Sequence, residues 1–304
     1  MIPKVIRFFR FLKNYQKNKK KTFPDVVNYD ITSKCNLKCE HCYWWKTRAT
    51  KELTDKEWEK VFKEHVEKGA VMGYLTGGEP TLRINVIRTA YNIFNSIGIV
   101  SNGTRKIPEE IQCRIFVSID GPKEIHNKIR GVDVFDKVIE NIKNDKRVVL
   151  TPTLSATNYK YIDDMVDIAR KSGVEGITFS TYTCHGTEDD LYLKGEQLEW
   201  TVNKLLEVWK KNKDIVFLTP FIIKSFLKKE YTDYCYFRGK KFIAFDSSMN
   251  RKLPCTLGKG VNCNTCGCIV PVVAYALRKG DVRTWFLFDK LYPEKYDIKK
   301  QVEV

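Results

Sequence analysis

The sequence predicts an α/β protein: a partial (β/α)6 TIM-like barrel followed by a C-terminal cysteine-rich extension. Three observations carry that expectation. Short apolar runs alternate six times with stretches of helical character between residues 25 and 183. The runs lead into turns of glycine and small polar residues. From about residue 183 the alternation stops, and five cysteines then fall within 34 residues. A β-then-α rhythm of short apolar strands calls for a parallel sheet, most simply a curved one.

The elements follow in order. DVVNYDI (25–31) reads as the first strand. TDKEWEKVFKEHVEKG is a helix with a capping box from Thr54 to Glu57, an apolar stripe of Trp58, Val61, Phe62 and Val66, and a stop at Gly69. AVMGYLT is the second strand, Leu82 to Ser96 a helix, IGIVSNG the third strand and RIFVSIDG the fourth. A helix near 133–145 leads to RVVLTPTL, the fifth strand; YIDDMVDIARKSG is a helix and GITFSTY the sixth strand. Beyond the loop CHGTEDD, helices are expected over Gly195 to Lys211 and Phe221 to Lys229, and a hairpin between Tyr236 and Leu253. The sheet is expected to be complete before the second cysteine region begins. The chain therefore divides into an arm (1–24), the barrel (25–183), a helical connection (184–230) and the extension (231–304).

Charge is unevenly placed. The net charge is +16, and residues 1–24 supply eight Lys/Arg with no acid, which leaves +8 for the other 280 residues. Ile2, Val5, Phe9 and Leu12 form one stripe of this arm, widened by Phe8, Phe11 and Tyr15. Such a basic amphipathic helix suits an anionic membrane surface, or packs on the domain with its lysines solvated. A milder body behind a basic arm is not the pattern of a uniformly basic nucleic-acid binder, and no specific nucleic-acid partner is expected. Without a spanning run or the apolar core of a signal peptide, the protein is expected in the cytoplasm, peripheral at the membrane surface if the arm docks there. In that reducing compartment ten cysteines argue for metal rather than disulfides. Cys113 and Cys184 stand apart and read as packing residues, with Cys184 also placed to face a substrate.

The stretch ITSKCNLKCEHCYWW places Cys35, Cys39 and Cys42 in a C-x3-C-x2-C spacing directly after the first strand. Loops at the C-terminal ends of barrel strands build active sites. TGGEPTL, SNGT and SIDGP occupy the same position after strands two, three and four. Three thiolates on one loop make an incomplete metal site. Zinc could add His41, although structural zinc prefers two ligands from each of two separated knuckles.

This combination, Cys35-x3-Cys39-x2-Cys42 and then Gly77-Gly78-Glu79-Pro80, resembles the radical S-adenosylmethionine superfamily over about residues 25–183. The resemblance implies a [4Fe–4S] cluster held by the three cysteines, with the fourth iron left for S-adenosylmethionine. It implies reductive cleavage of that cofactor to a 5′-deoxyadenosyl radical, and hence a low-potential electron donor of the flavodoxin or ferredoxin type. By motif, His41 should lie against the adenine, and Gly77, Gly78, Glu79 and Pro80 should meet the methionine amino group. Ser101, Asn102, Ser118 and Asp120 should line the ribose and methionine side, and Arg130 should pair with the methionine carboxylate. The alternative for Asp120 and Arg130 is a fold-stabilising ion pair.

Cys235, Cys255, Cys263, Cys266 and Cys268 form the second group. They resemble the auxiliary-cluster (SPASM/twitch-like) extensions of radical enzymes, in a spacing that departs from the common seven-cysteine pattern. A second [4Fe–4S] cluster is expected, with a four-cysteine zinc site as the alternative. The layout of the whole chain resembles the adenosyl-hopane synthase branch, which implies an isoprenoid or other membrane lipid as substrate. A peptide or protein maturase is the alternative among radical enzymes. A non-catalytic, zinc-holding nucleic-acid binder is the alternative of another class, and it leaves GGEP and SIDG unexplained.

Overall fold

The computed structural model describes residues 23–238 and 242–291; residues 1–22 of the basic arm lie outside the described residues. The strands are β1 (Val26–Asp30), β2 (Met72–Thr76), β3 (Ser96–Ser101), β4 (Arg114–Val117), β5 (Val148–Leu150), β6 (Thr153–Leu154), β7 (Gly176–Ile177), β8 (Ser180–Thr181) and β9 (Phe242–Phe245). The helices are α1 (Trp44–Thr47), α2 (Asp55–Glu67), α3 (Ile84–Ile93), α4 (Lys123–Arg130), α5 (Phe135–Ile142), α6 (Ile162–Lys171), α7 (Glu196–Lys211), α8 (Pro220–Lys228), α9 (Ile269–Arg278) and α10 (Val282–Leu291). Seven strands form one sheet in the order β7-β5-β4-β3-β2-β1-β9, every neighbouring pair parallel. The fold class is the expected α/β parallel sheet.

The apolar runs explain the strands, and the amphipathic stretches explain what covers them. α2 starts where Thr54 accepts the Glu57 N–H and the Glu57 carboxylate accepts the Thr54 N–H, the reciprocal cap anticipated from sequence. Its Trp58 and Phe62 are fully buried. They pack edge-on against Tyr29 of β1, with ring centroids 5.9 and 5.1 Å away. Burial of a side chain of the Phe class contributes roughly 1.5–3 kcal/mol. Val61 and Val66, at the rim of the stripe, are only half-buried.

Two expectations about the sheet need correction. The fifth and sixth predicted strands each break in two, and their distal halves, β6 and β8, form a separate two-stranded sheet. Pro152 stands between β5 and β6 and has no N–H to give to a ladder. Nor is the sheet complete before residue 231. β9 pairs in parallel with β1, Val26 opposite Phe242 through Tyr29 opposite Phe245, and forms the edge of the main sheet beside the strand that carries the first cysteine loop. A strand reached after a long excursion leaves no trace in the β–α rhythm, which explains the miscount. The expected hairpin is a tight reversal at Asp246–Asn250, with Phe245 bridged to Arg251. Among the described residues no helix is long and apolar enough to cross a membrane.

Candidate active site

The first cysteine loop leaves the end of β1 and is held from below by the GGEP turn that leaves β2. Gly78 N–H donates to Thr32 O at 3.0 Å, and Glu79 N–H to Lys34 O at 2.8 Å. The two glycines permit this contact. A Cβ on Gly78 would lie 2.0 Å from the Lys34 carbonyl oxygen, and one on Gly77, at φ +129°, would lie 2.5 Å from that of Thr32. They are therefore glycines because another loop presses on them. The Glu79 carboxylate, 1% exposed, is likewise taken up by the chain. It accepts from Thr81 N–H (3.0 Å), Thr81 Oγ1 (2.6 Å), Ser101 Oγ (2.8 Å) and Asn102 N–H (2.7 Å). Pro80 opens the short 3-10 turn that follows.

The same locking continues along the strand ends. Asn102 Nδ2 donates to Asn36 Oδ1 at 2.9 Å, and Asn36 Nδ2 donates to Thr104 Oγ1 at 2.9 Å. The stretch between Cys35 and Cys39 is thus tied to the end of β3. Ser118 is half-buried at the end of β4, with its N–H on Ser101 O at 3.1 Å. Glu52, not anticipated from sequence, accepts from Ser33 N–H (2.6 Å), Ser33 Oγ (2.7 Å) and Thr32 Oγ1 (2.9 Å) and pairs with Arg83 at 3.0 Å.

The three thiols are free and half-buried. Leu37 N–H points at Cys35 Sγ (3.5 Å) and Arg130 Nη1 at Cys39 Sγ (3.6 Å). Burial pushes the Cys35 thiol up to about 11, and Glu79 and the other two cysteines add to that rise. Behind the loop sits a charge cluster. Arg130 forms a buried ion pair with Asp120, and His126, a residue the motif reading passed over, accepts the Asp120 N–H on Nδ1 at 3.2 Å. Burial alone would raise the Asp120 carboxyl, but Arg130, His41 and His126 outweigh it and hold it below its ordinary value. His41 is held down by burial and by Arg130 against the pull of Asp120. Arg130 is raised: the carboxylate and Cys39 outweigh its burial. Of the two readings kept open for Asp120 and Arg130, the structure contains the ion pair.

All five C-terminal cysteines line one partly open cavity, together with Tyr231, Phe237 and Pro271. Burial lifts Cys255 to about 11 and Cys266 to about 12. Among the described residues no three or more His, Cys, Asp or Glu side chains close on a single-ion position. Tyr43, next to Cys42, stacks on His185 (5.3 Å, 9°), and its hydroxyl reaches Thr256 O at 3.5 Å, next to Cys255. The two cysteine regions are therefore neighbours. Cys113 and Cys184 are both buried.

A parallel α/β sheet with a three-cysteine loop at the end of its first strand defines a class, and the comparisons agree on it. Residues 29–154 match the family described as "Radical SAM superfamily", and the chain carries a radical SAM superfamily domain. It is similar to a probable GTP 3′,8-cyclase of Sulfurisphaera tokodaii, 28% identical over 58% of this chain and 62% of that one. It is also similar to the sporulation killing factor maturation protein SkfB of Bacillus subtilis, 26% identical over 49% of this chain and 40% of that one. The chain thus spans less than two thirds of the length of these relatives. In fold it resembles Streptococcus suis SuiB bound to the precursor peptide SuiA, with a TM-score of 0.62 at 17% identity over 83% of this chain and 64% of that one. SuiB has also been solved bound to S-adenosylmethionine.

Proposed function

We propose that the chain is a radical S-adenosylmethionine enzyme in which Cys35, Cys39 and Cys42 hold a [4Fe–4S] cluster. The carrying observation is the three-thiol loop seated on the GGEP turn, with N–H groups already aimed at its three sulfurs. The residues fit the group. Thiolates are the donors such a cluster takes, and hydrogen bonds to sulfur are their usual companions. A cluster spreads its ligands over several irons, whereas structural zinc prefers two ligands from each of two separated knuckles. With S-adenosylmethionine bound, the cluster supplies one-electron cleavage of the cofactor to a 5′-deoxyadenosyl radical, given an electron from a low-potential flavodoxin or ferredoxin.

The chain's own work is to hold and shield. His41 and Ser118, both half-buried, face the cofactor. Gly77, Gly78, Glu79, Pro80, Ser101 and Asn102 act through the framework that fixes the loop. In the extension, four of Cys235, Cys255, Cys263, Cys266 and Cys268 hold a second [4Fe–4S] cluster; zinc is the other occupant such a donor set takes. We place the barrel at 25–183, with β9 of the 231–304 extension completing its edge.

Two substrate readings remain, each with its own support. Similarity to SkfB and to peptide-bound SuiB favours a peptide. The basic arm of residues 1–24 favours an isoprenoid or other membrane lipid. The test is anaerobic: reconstitute with iron and sulfide, add dithionite and S-adenosylmethionine, and quantify 5′-deoxyadenosine and adenosyl adducts with lipid extract or with peptides. Lipid-stimulated turnover, lost on deleting residues 1–20, selects the lipid; peptide-stimulated turnover selects the peptide. No cleavage by a chain holding its full cluster overturns the enzyme reading.

A further inference from the structure

Arg130 has a set of contacts that the superfamily resemblance did not anticipate. Its Nη2 is given to the Asp120 carboxylate and its Nη1 to Cys39 Sγ at 3.6 Å, and the side chain is only 7% exposed. Both ends of this chain of contacts are anchored. Asp120 Oδ1 accepts Thr153 N–H (3.2 Å), its backbone N–H donates to His126 Nδ1 (3.2 Å), and its carbonyl accepts Asn158 Nδ2 (2.9 Å). Three contacts therefore fix Asp120, one on its carboxylate and two on its backbone. On the other side, α4 is docked on the cysteine loop itself. Glu40 N–H donates to Ile129 O at 2.8 Å, and Gly131, left-handed at φ +74°, brings its backbone close to Lys38 O. Neither the arginine nor the sulfur has room to drift from the other.

We propose that Arg130 is a positioning residue for the cluster's sulfur ligand rather than a clamp for the cofactor's carboxylate: held by Asp120, it donates to Cys39 Sγ and raises the reduction potential of the cluster. This rests on Cys35, Cys39 and Cys42 being the cluster ligands. The physical reason is direct. A cation with an N–H on a ligand sulfur stabilises the more negative, reduced cluster over the oxidised one. A two-pronged grip on an external carboxylate would compete with the Asp120 pair, and freeing Asp120 would leave a buried carboxylate without its counter-charge, which is strongly unfavourable. The buried Arg130 Nε has no hydrogen-bond partner within the chain.

The test uses the reconstituted full chain and two readouts, neither of them turnover. An EPR-monitored redox titration follows the first-site signal, identified as the one that S-adenosylmethionine perturbs, and calorimetry follows cofactor binding. In Arg130→Met the reduced-to-oxidised ratio at a fixed potential should fall about tenfold, a shift of about 59 mV for a one-electron couple. Cofactor affinity should change much less. Arg130→Lys should recover part of the shift, and Asp120→Asn, which removes a negative charge and leaves the guanidinium to the sulfur, should move the potential up, opposite to Arg130→Met. An unchanged potential with a tenfold or greater loss of cofactor affinity overturns the proposal and gives Arg130 to the cofactor. If Arg130→Met takes up no cluster, the lysine and asparagine variants are judged by the same criterion. A wild-type chain without iron and sulfide at the first site overturns the underlying reading instead, and metal analysis shows that before any titration.

Discussion

The Lys252 ammonium lies 2.5 Å from the Asp30 carboxylate, with side chains 5% and 0% exposed, although 222 positions separate them. Its Nζ also sits over the rings of Tyr43 (5.5 Å) and Trp44 (5.2 Å). One buried pair thus ties the end of β1, the first cysteine loop and the C-terminal segment together. Burial raises the Asp30 carboxyl, and Lys252 offsets part of that rise. Lys252→Met should cost about 3–5 kcal/mol near neutral pH by stranding Asp30. The deficit should shrink as the pH falls and Asp30 takes a proton. Urea melts at two pH values check this, and Asp30→Asn in the same chain should restore most of the loss.

Two buried histidines set a second pH dependence. Burial, the largest cause in each, lowers His65 and His126 to about 4. Between about 6.5 and 4 the unfolded chain therefore binds protons that the folded chain does not. Stability should be full above that window and fall as the pH drops through it, by on the order of 3 kcal/mol for His126 and by less for His65, whose charge is better screened. Asp120, held low, adds a further loss below its ordinary range. Denaturant melts of the metal-free chain from pH 7 to 4 measure the slope. His65→Gln with His126→Gln should flatten it, and an unflattened slope would assign the protons elsewhere.

Gly78→Ala tests the seat of the cysteine loop. The added methyl would meet the Lys34 carbonyl at 2.0 Å, and a backbone oxygen cannot swing aside. A loss of about 1–3 kcal/mol is expected from overpacking, together with reduced iron uptake at the first site. A thermal melt and iron analysis report the two effects separately, and a variant with wild-type values for both would show that the loops need not touch.

Cysteine substitutions should separate the two groups by stoichiometry. Replacing Cys35, Cys39 and Cys42 together should remove roughly four irons per chain, as one [4Fe–4S] cluster requires, and abolish cofactor cleavage. Single replacements in the second group should remove that cluster at four positions and spare it at one. Equal iron loss in all five would show that the cavity is not a four-thiolate site.

What the sequence made legible was local. The three-thiol loop, the GGEP turn and the Thr54 cap are each written within a few consecutive residues. What escaped it depends on distant pairing. β9 joins β1 across roughly two hundred residues, so no periodicity announces it. For Asp120 and Arg130 the sequence offered both a cofactor role and an ion pair, and the pair became visible once α4 was placed. His126, one turn before Arg130 on that helix, was passed over for the same reason. The close approach of Thr32 and Lys34 to Gly77 and Gly78 likewise needed the two loops to be placed together.

The position of β9 bears on how the protein is made. β1 holds the first cysteine loop, and its two flanking partners arrive at very different times during synthesis: β2 after some fifty residues, β9 only after some two hundred. Until then, one edge of β1 stays open on the ribosome, with unpaired backbone groups beside reactive thiols. An assembly factor that inserts metal would meet those cysteines most accessibly in that interval, before the last strand closes over the edge.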